Sequence, residues 1–428
     1  MSALIMSSAL AGCGGSGSSG SSGSSGAASA AQSAAGSQKL EISFWTLSTR
    51  QKAVDDAISQ FEAKNPNITV KASYASTDGQ KQNLKVAASS STLPSMWFNW
   101  GGCLGGYYSD NDLTYDLTQY SKDNNWDKKF QSAALKLCTR DDKITGYPTS
   151  LNEVGVFYRK DIFKKYNVNV PKTFDEFEQA CATLKKNGVT PMSAAGKNGW
   201  HVMRWVEQLI EHYGGAQTHD SLDLFKTSWA GNTAVVQAFT KYKEFVDKGY
   251  FPKGFVTANP DDTKLNVYAG KCAMDIQGEW YDSNIVGDKQ NMDLYGYFPF
   301  PNGGTNRMSS FAEMTQFNKN LSKDQLDACV KFMDFYNSQE MADKYPDCFN
   351  LPLPVIGAKT PASMVHVNAM LDDMNKNGIF TITDQCLPTE VANFLFSAQD
   401  SIAAGSMTPQ QGAKSIQDAI EKYKAANQ

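Results

Sequence analysis

The segment Gly278-Glu279-Trp280 combines three residue types that suit a polar, ring-shaped ligand. It follows a predicted strand over residues 272–276. Glycine lets the backbone turn and approach a ligand closely, a carboxylate offers acceptors, and an indole offers a flat apolar face with one donor. A sugar ring has hydroxyl groups for the carboxylate and a C–H face for the indole. The segment therefore indicates a sugar contact, although a strand ending in a plain turn, with Trp280 in the core, explains the same pattern.

Two other segments place aromatic or amide side chains where α/β proteins bind ligands. Asn99 and Trp100 end the apolar segment 96–100 and precede a glycine cluster. Ligands bind beyond the carboxyl ends of strands in such sheets. Trp200 and His201 open a predicted helix, where the indole could stack on a ligand. Each segment has a structural alternative, namely a packed loop for the first and a core contact at the helix start for the second.

The elements that position these residues alternate between strand and helix. Residues 40–45 alternate polar and apolar, and residues 68–74 form a second predicted strand. Between them lies a helix with Val54, Ile58 and Phe61 on one face. This strand–helix–strand order is typical of an α/β sheet.

Later segments continue the alternation. A turn at Gly146-Tyr147-Pro148 precedes a predicted strand over residues 154–158. Thr173 and Glu176 form a capping box at the start of a helix, since the threonine and glutamate side chains each satisfy a free backbone N–H. A helix capped at Thr408 follows near the end of the sequence.

Composition limits the classes of function. The 428 residues suit two domains of roughly 150–200 residues each. A hydrophobic content of 41% provides for real cores, and the formal net charge of −4 without a Lys/Arg run makes nucleic acid an unexpected partner.

The 8 cysteines show no CxxC pair and no Cys/His cluster with metal-ligand spacing, so no metal is expected. Cys181, Cys272 and Cys329 lie on predicted apolar faces and are expected to be buried thiols. One or two disulfides among the remaining cysteines stay open as an alternative.

The first residues carry an export pattern. Residues 8–13 have the form of a bacterial lipobox, which predicts lipidation of Cys13, although the preceding segment is short and has no basic region. Residues 14–38 contain only Gly, Ser, Ala and Gln and predict a flexible tether with a reach of roughly 25–30 Å. The alternative is a disordered tail without a role. The tether contains a GxGxxG match, but no predicted strand precedes it and no helix follows, so it is not a dinucleotide site.

Several short motifs, each weak alone, occur together in one order. They are the strand ending at Trp45, residues 93–98 (LPSMWF), 146–148 (GYP), 156–163 (VFYRKDIF), 171–176 (PKTFDE), 268–280 (YAGKCAMDIQGEW) and 328–335 (ACVKFMDF). In this order they resemble the bacterial extracellular solute-binding proteins of family 1, the sugar-type relatives of maltose-binding protein that feed ABC importers. The resemblance covers nearly all of residues 40–428. Ser95 departs from it, because the family usually has an acidic residue there.

The resemblance implies an α/β, two-lobe periplasmic-binding-protein-like fold with crossover hinge strands. Lobe 1 would comprise residues 39–148 and 304–350, and lobe 2 residues 149–303 and 351–428. The ligand would lie between the lobes. The residues implied to face it are Trp45, Arg50, Asn99, Trp100, Gly101, Asn152, Glu153, Trp200, Glu279, Trp280, Phe311 and Glu313.

The implied function is the substrate-binding component of a carbohydrate ABC transporter, which closes over a sugar and delivers it to permease subunits. Tryptophans at the candidate loops favour a neutral oligosaccharide, since an anion would need a concentrated Arg/Lys site. We expect a monomer without cofactor, metal or catalysis, held by its N-terminal lipid at the extracellular face of the cytoplasmic membrane.

Two other classes of function use the same residue types. A membrane-anchored glycoside hydrolase would need two carboxyl groups flanking the scissile bond, and no pair in the sequence has a spacing that demands this. A surface sugar sensor or adhesin on the same fold would need no importer, because a fold does not fix a function.

Overall fold

The computed structural model describes residues 39–304 and 306–427; Cys13 and the predicted tether lie outside this part. The strands are β1 (Leu40–Leu47), β2 (Ile68–Ala75), β3 (Met96–Trp100), β4 (Thr139–Arg140), β5 (Lys143–Ile144), β6 (Tyr147–Arg159), β7 (Thr190–Met192), β8 (Cys272–Gly278), β9 (Tyr295–Phe298), β10 (Met308–Phe317) and β11 (Ile379–Thr381). The α-helices are α1 (Gln51–Lys64), α2 (Thr77–Ser89), α3 (Gly102–Asp110), α4 (Thr118–Asp123), α5 (Trp126–Lys129), α6 (Ser132–Leu137), α7 (Lys160–Lys165), α8 (Phe174–Lys186), α9 (Trp200–Asp223), α10 (Thr233–Asp247), α11 (Thr263–Tyr268), α12 (Trp280–Gly287), α13 (Lys323–Tyr336), α14 (Gln339–Lys344), α15 (Val367–Asn377), α16 (Thr383–Cys386), α17 (Thr389–Ala403) and α18 (Pro409–Ala426).

The helices begin and end where local chemistry dictates. Thr173 and Glu176 form the predicted capping box of α8, and Thr408 forms another with Gln411 at α18. The apolar face of α8 is buried as its period of 3.6 requires. In α1, Val54 and Phe61 are buried, so the helix packs its apolar face on the sheet.

A mixed sheet confirms the predicted α/β class. Its strand order is β2-β1-β3-β10-β6-β8-β7, with β11 beside β10 and β9 beside β6. The strands β1, β2 and β3 are parallel to one another, whereas β10 is antiparallel to both β3 and β6. The carboxyl end of β3 and that of β8 therefore approach the sheet centre from opposite sides.

The central strand β6 corrects the predicted turn at residues 146–148. Instead of a turn followed by a strand over 154–158, a continuous strand begins at Tyr147. Pro148 fits inside it because Glu313 pairs with Ser150 and Met314 with Pro148, which leaves Thr149 as the extra residue of a bulge. Proline has no N–H to contribute to a ladder and is tolerated at such a position.

Apolar side chains form two large clusters. One contains residues of β1, α1 and α13, and the other contains residues of α8, α9, α10, β8, α17 and α18. The long strands β6 and β10 contribute to both, through Tyr147 and Phe317 in the first cluster and Val154 and Phe311 in the second.

The seven cysteines within the described residues are all free thiols, and Cys181, Cys272 and Cys329 are buried as predicted. The same residues contain no cluster of three or more His, Cys, Asp or Glu side chains that could hold a metal ion. No helix in the described part of the chain has the length and apolarity needed to cross a membrane.

Phe332 of α13 tests the packing of the first cluster. Its ring is fully buried and lies 5.4 Å from the ring of Phe61 and 6.0 Å from that of Phe44 (centroid distances). Phe332→Ala should lower the free energy of unfolding by about 3–5 kcal/mol, because it leaves a cavity in a close-packed core. Phe394→Ala, at a position 46% exposed, should change it by less than about 0.5 kcal/mol. Urea denaturation measures both, and equal effects would contradict the packing described.

Candidate functional site

A cavity of about 250 Å³ opens where strand ends and helix starts meet beside the sheet centre. Its wall contains residues of β10, of the segment before α1, and of the first turns of α9 and α12. The sequence-predicted residues that line it are Arg50, Trp100, Trp200, Trp280, Phe311 and Glu313. The structure therefore brings together residues that are far apart in the sequence.

Trp280 owes its position to the glycine two residues before it. A Cβ atom at Gly278 would lie 2.0 Å from the Trp280 ring, so only glycine lets the indole fold back over the end of β8. The indole Nε1 donates to Gln277 Oε1 at 2.9 Å, and its ring lies 5.7 Å from that of Phe311. These contacts leave part of the indole at the cavity wall.

Arg204 lies between two tryptophans. Its guanidinium carbon is 4.7 Å from the centre of the Trp200 ring and 4.9 Å from that of Trp280. Since Arg204 follows Trp200 by one helical turn on α9, both side chains lie on the same face of that helix. Aromatic faces attract cations, so Arg204 helps to hold the two indoles at the wall.

Glu313 is the buried carboxylate of the cavity wall. Its Oε2 accepts hydrogen bonds from Arg50 at 2.5 Å, from Ser150 at 3.0 Å and from Asn350 at 3.0 Å. Arg50 also lies over the Phe98 ring, at 4.4 Å from its centre. These donors fix the carboxylate and compensate its charge. Its Oε1 accepts no hydrogen bond from the described residues and is available to a ligand hydroxyl.

A smaller cavity of about 50 Å³ adjoins the first. The two share Trp100, Trp200 and Arg204 in their walls, and the smaller one adds Lys81 and Asp384. The Lys81 ammonium lies 4.8 Å from the centre of the Trp100 ring. The site is thus an elongated space with tryptophans along it.

Three further candidates, Trp45, Asn99 and Gly101, lie behind the cavity wall. Asn99 is buried and donates to Gln316 Oε1 at 2.8 Å, and Trp45 packs beside Trp97. Gly101 precedes α3, where its N–H donates to the Ala312 carbonyl oxygen at 2.8 Å. These contacts hold β3 and Trp100 in place on the side away from the cavity.

Asn152, Glu153 and Glu279 are also buried behind the wall. Glu279 Oε2 accepts from the Glu153 backbone N–H at 3.0 Å. Both oxygens of Glu153, Oε1 of Glu279 and Nδ2 of Asn152 have no hydrogen-bond partner among the described groups. Two carboxyl groups thus lie close together in the interior. His201 is buried too, with Nε2 3.1 Å from Asp275 Oδ1.

Several cavity residues were not among the predicted ones. Arg204 had a usable signal, because it lies four residues after Trp200 on a predicted helix. Asn350 and Asp261 had none, since Asn350 lies in a loop and Asp261 in a short 3-10 helix (Pro260–Asp262), and the path of both segments depends on tertiary packing. Lys81 is on the surface helix α2 and is indistinguishable in sequence from solvated lysines.

The buried carboxyl pair should make stability depend on pH. Burial raises the pKa of Glu153 and of Glu279, and the charge of Glu153 raises that of Glu279 further. The folded state then holds protons that the unfolded chain releases above a pKa of about 4.3. The free energy of unfolding therefore falls as pH rises from that value to the raised folded pKa.

Glu279→Gln removes this dependence in part. Between about pH 5 and about pH 8 the variant should lose less stability than the unmodified protein, by up to about 1.4 kcal/mol per pH unit. Urea denaturation across this range measures the difference. The exposed Glu421→Gln is the control and should follow the unmodified protein. Parallel curves for Glu279→Gln and the unmodified protein would contradict the raised pKa.

Comparison with known proteins adds family information to this geometry. The family described as bacterial extracellular solute-binding protein matches residues 45–343. An uncharacterised ABC transporter extracellular-binding protein of Pyrococcus horikoshii is 28% identical over 279 residues, which is 62% of this chain and 61% of that protein. The match thus spans less than two thirds of that relative's length.

One further relative and one solved structure match more of the chain. A multiple sugar-binding protein of Streptococcus mutans is 23% identical over 342 residues, covering 76% of this chain and 78% of that protein. A solved structure of a chitin oligosaccharide binding protein superposes with a TM-score of 0.83 at 22% identity, covering 91% of this chain and all of that one. The chain has the predicted two-lobe α/β fold with crossover strands, and it belongs to the bacterial extracellular solute-binding protein family.

Proposed function

We propose that this protein captures an oligosaccharide between its lobes and delivers it to the permease of a carbohydrate ABC transporter. The observation that carries the proposal is the presence of Trp100, Trp200 and Trp280 in the wall of one cavity, beside the fixed carboxylate of Glu313. Indole faces stack on the C–H faces of sugar rings, while carboxylate and amide groups bind the hydroxyls. Family membership supports the same function.

The charges of the larger cavity favour neutral rings. Arg50 is paired with Glu313, and Lys264 is paired with Asp288 at 2.6 Å. The remaining acidic residues of the wall include Asp261 and Asp347. Arg204 is the one cation in the described wall of this cavity that has no ion pair. The cavity therefore suits the hydroxyl groups of a neutral oligosaccharide.

Delivery requires the protein to stay near its membrane partner. Lipidation of Cys13, followed by the tether of residues 14–38, would hold the folded part at the extracellular face of the cytoplasmic membrane. The protein acts there as a monomer. The lobe boundaries remain those predicted, with changes of lobe at residues 148/149, 303/304 and 350/351.

Closure depends on contacts between the lobes. With those boundaries Asp78 belongs to lobe 1, whereas Asn198 and Trp200 belong to lobe 2. Asp78 accepts from Asn198 Nδ2 at 2.6 Å and from Trp200 Nε1 at 3.3 Å. These bonds form only when the two lobes are in contact, so they stabilise the closed state. A ligand that binds the closed state more tightly shifts the population toward it.

A hydrolase would act on the same sugar. The buried pair Glu153 and Glu279 has the raised pKa that an acid catalyst needs, but neither residue lines the larger cavity. Glu313, which does line it, is held by three donors. The geometry therefore favours binding without chemistry. A sensor or adhesin would show the same binding and differ only in lacking a permease partner.

A thermal-shift screen of the full chain against mono- and oligosaccharides tests capture. One oligosaccharide should raise the melting temperature and be recovered intact, because a ligand that binds only the folded state stabilises it. Trp280→Ala should weaken binding of that sugar more than about tenfold, through loss of the stacking face. The control Tyr107→Ala changes an exposed aromatic outside both cavities and should bind normally. Cleavage of the sugar would replace this proposal with the hydrolase.

Small-angle scattering tests closure. The radius of gyration should fall when the sugar saturates the protein. Asp78→Asn should weaken binding by about tenfold, since it removes a charge-assisted bond between the lobes. The control Asp324→Asn changes the equivalent position at the start of α13, which is exposed, and should leave affinity unchanged. An unchanged radius at saturation would refute closure.

A further inference from the structure

Cations and aromatic rings alternate along the two cavities. Lys81 lies 4.8 Å from the centre of the Trp100 ring and 5.7 Å from that of Trp200. Arg204 lies 4.7 Å from the Trp200 ring and 4.9 Å from the Trp280 ring. Both cations line the smaller cavity, so a ligand that stacks on these indoles would meet two positive charges.

Neither cation is neutralised by a direct ion pair within the described residues. Arg204 is only 7% exposed, its Nε has no hydrogen-bond partner, and its Nη1 makes a long bond of 3.4 Å to the neutral Gln277. Lys81 interacts with Asp384 and Asp78 through space, without a hydrogen bond to either. A buried guanidinium with unused donors is costly unless a partner supplies acceptors.

Several acidic groups act on the two cations through space, and none of them forms an ion pair with either: Asp384, Glu207, Asp275 and Glu279 act on Arg204, and Asp384, Asp78 and Asp261 act on Lys81. Asp384 lines the smaller cavity, but burial raises the pKa of its carboxyl group. Asp78 is already the acceptor for Asn198 and Trp200. Burial lowers the pKa of both Lys81 and Arg204, and the Arg204 charge lowers that of Lys81 further. An added anion would offset that repulsion.

We propose that the smaller cavity binds the carboxylate of a uronic acid unit, so that the ligand is an acidic oligosaccharide with neutral rings in the larger cavity. A guanidinium presents paired donors that match a carboxylate, and Lys81 adds a second charge. The carboxylate of a uronate stands beside a pyranose ring that can stack on Trp100 or Trp200. This inference rests on the proposed function and changes the expected net charge of the ligand.

Calorimetric titration of the full chain tests this with matched sugars. The probes are glucosyl-xylotriose against glucuronosyl-xylotriose, and galactotriose against trigalacturonate. In one pair the uronate should bind about 10- to 100-fold tighter, as hydrogen bonds to charged groups do. Added salt should reduce that preference.

Variants locate the effect. Lys81→Gln and Arg204→Gln should each abolish the preference for the uronate. Lys81→Gln does so without disturbing the tryptophan contacts of Arg204, which guards against a folding defect. The control Lys85→Gln removes the same charge one turn along α2 at an exposed position and should retain the preference.

The outcomes separate the two proposals. Binding of a neutral sugar with no gain for its uronate partner would overturn the acidic ligand and leave oligosaccharide capture standing. A preference that Lys85→Gln removes as fully as Lys81→Gln would also overturn it, since a general charge effect explains that result. Failure of all four sugars to bind would overturn the acidic ligand, whereas oligosaccharide capture would be overturned only if the broader thermal-shift screen also found no sugar that stabilises the protein.

Discussion

The antiparallel pairing of β6 with β10 is the constraint on which the site depends. Each strand also pairs with a strand on its other side, β10 with β3 and β6 with β8. Because side chains alternate between faces of a strand, Phe311 and Glu313 lie on the same face of β10. Both line the cavity. The register of this strand pair therefore fixes the part of the cavity wall, here called the floor, beside which Trp100 and Trp280 lie. The bulge at Thr149 keeps that register while admitting Pro148.

Arg204 both contributes charge to the cavity wall and holds two of its tryptophans in place. Its position between two indoles uses cation–π attraction in place of an ion pair. In contrast, Arg50 is neutralised by Glu313. One buried arginine thus completes an internal pair that shapes the wall, whereas the other keeps donors unused. Arg50 lines only the larger cavity, whereas Arg204 lines both.

The sequence predicted elements better than side-chain roles. The capping boxes of α8 and α18 and the apolar face of α1 follow from local rules, and the family motifs indicated the two-lobe fold. Pro148 was misinterpreted because the bulge that accommodates it requires a partner strand far along the chain. Glu153 and Glu279 were predicted to face the ligand, yet in the structure they are buried behind the cavity wall. Burial of a polar residue depends on long-range packing, which no local pattern reports. Lys81 was missed for the same reason.

Gly278 has a consequence for how the binding properties of this fold can diverge. The space that a methyl group would occupy there is filled by the Trp280 ring. Any side chain at this position must therefore displace the indole from its present place. A single substitution of Gly278 would thus reshape the cavity wall without altering the identity of any side chain in that wall. The shape of this cavity depends on a backbone position, where the determinant is the absence of a side chain.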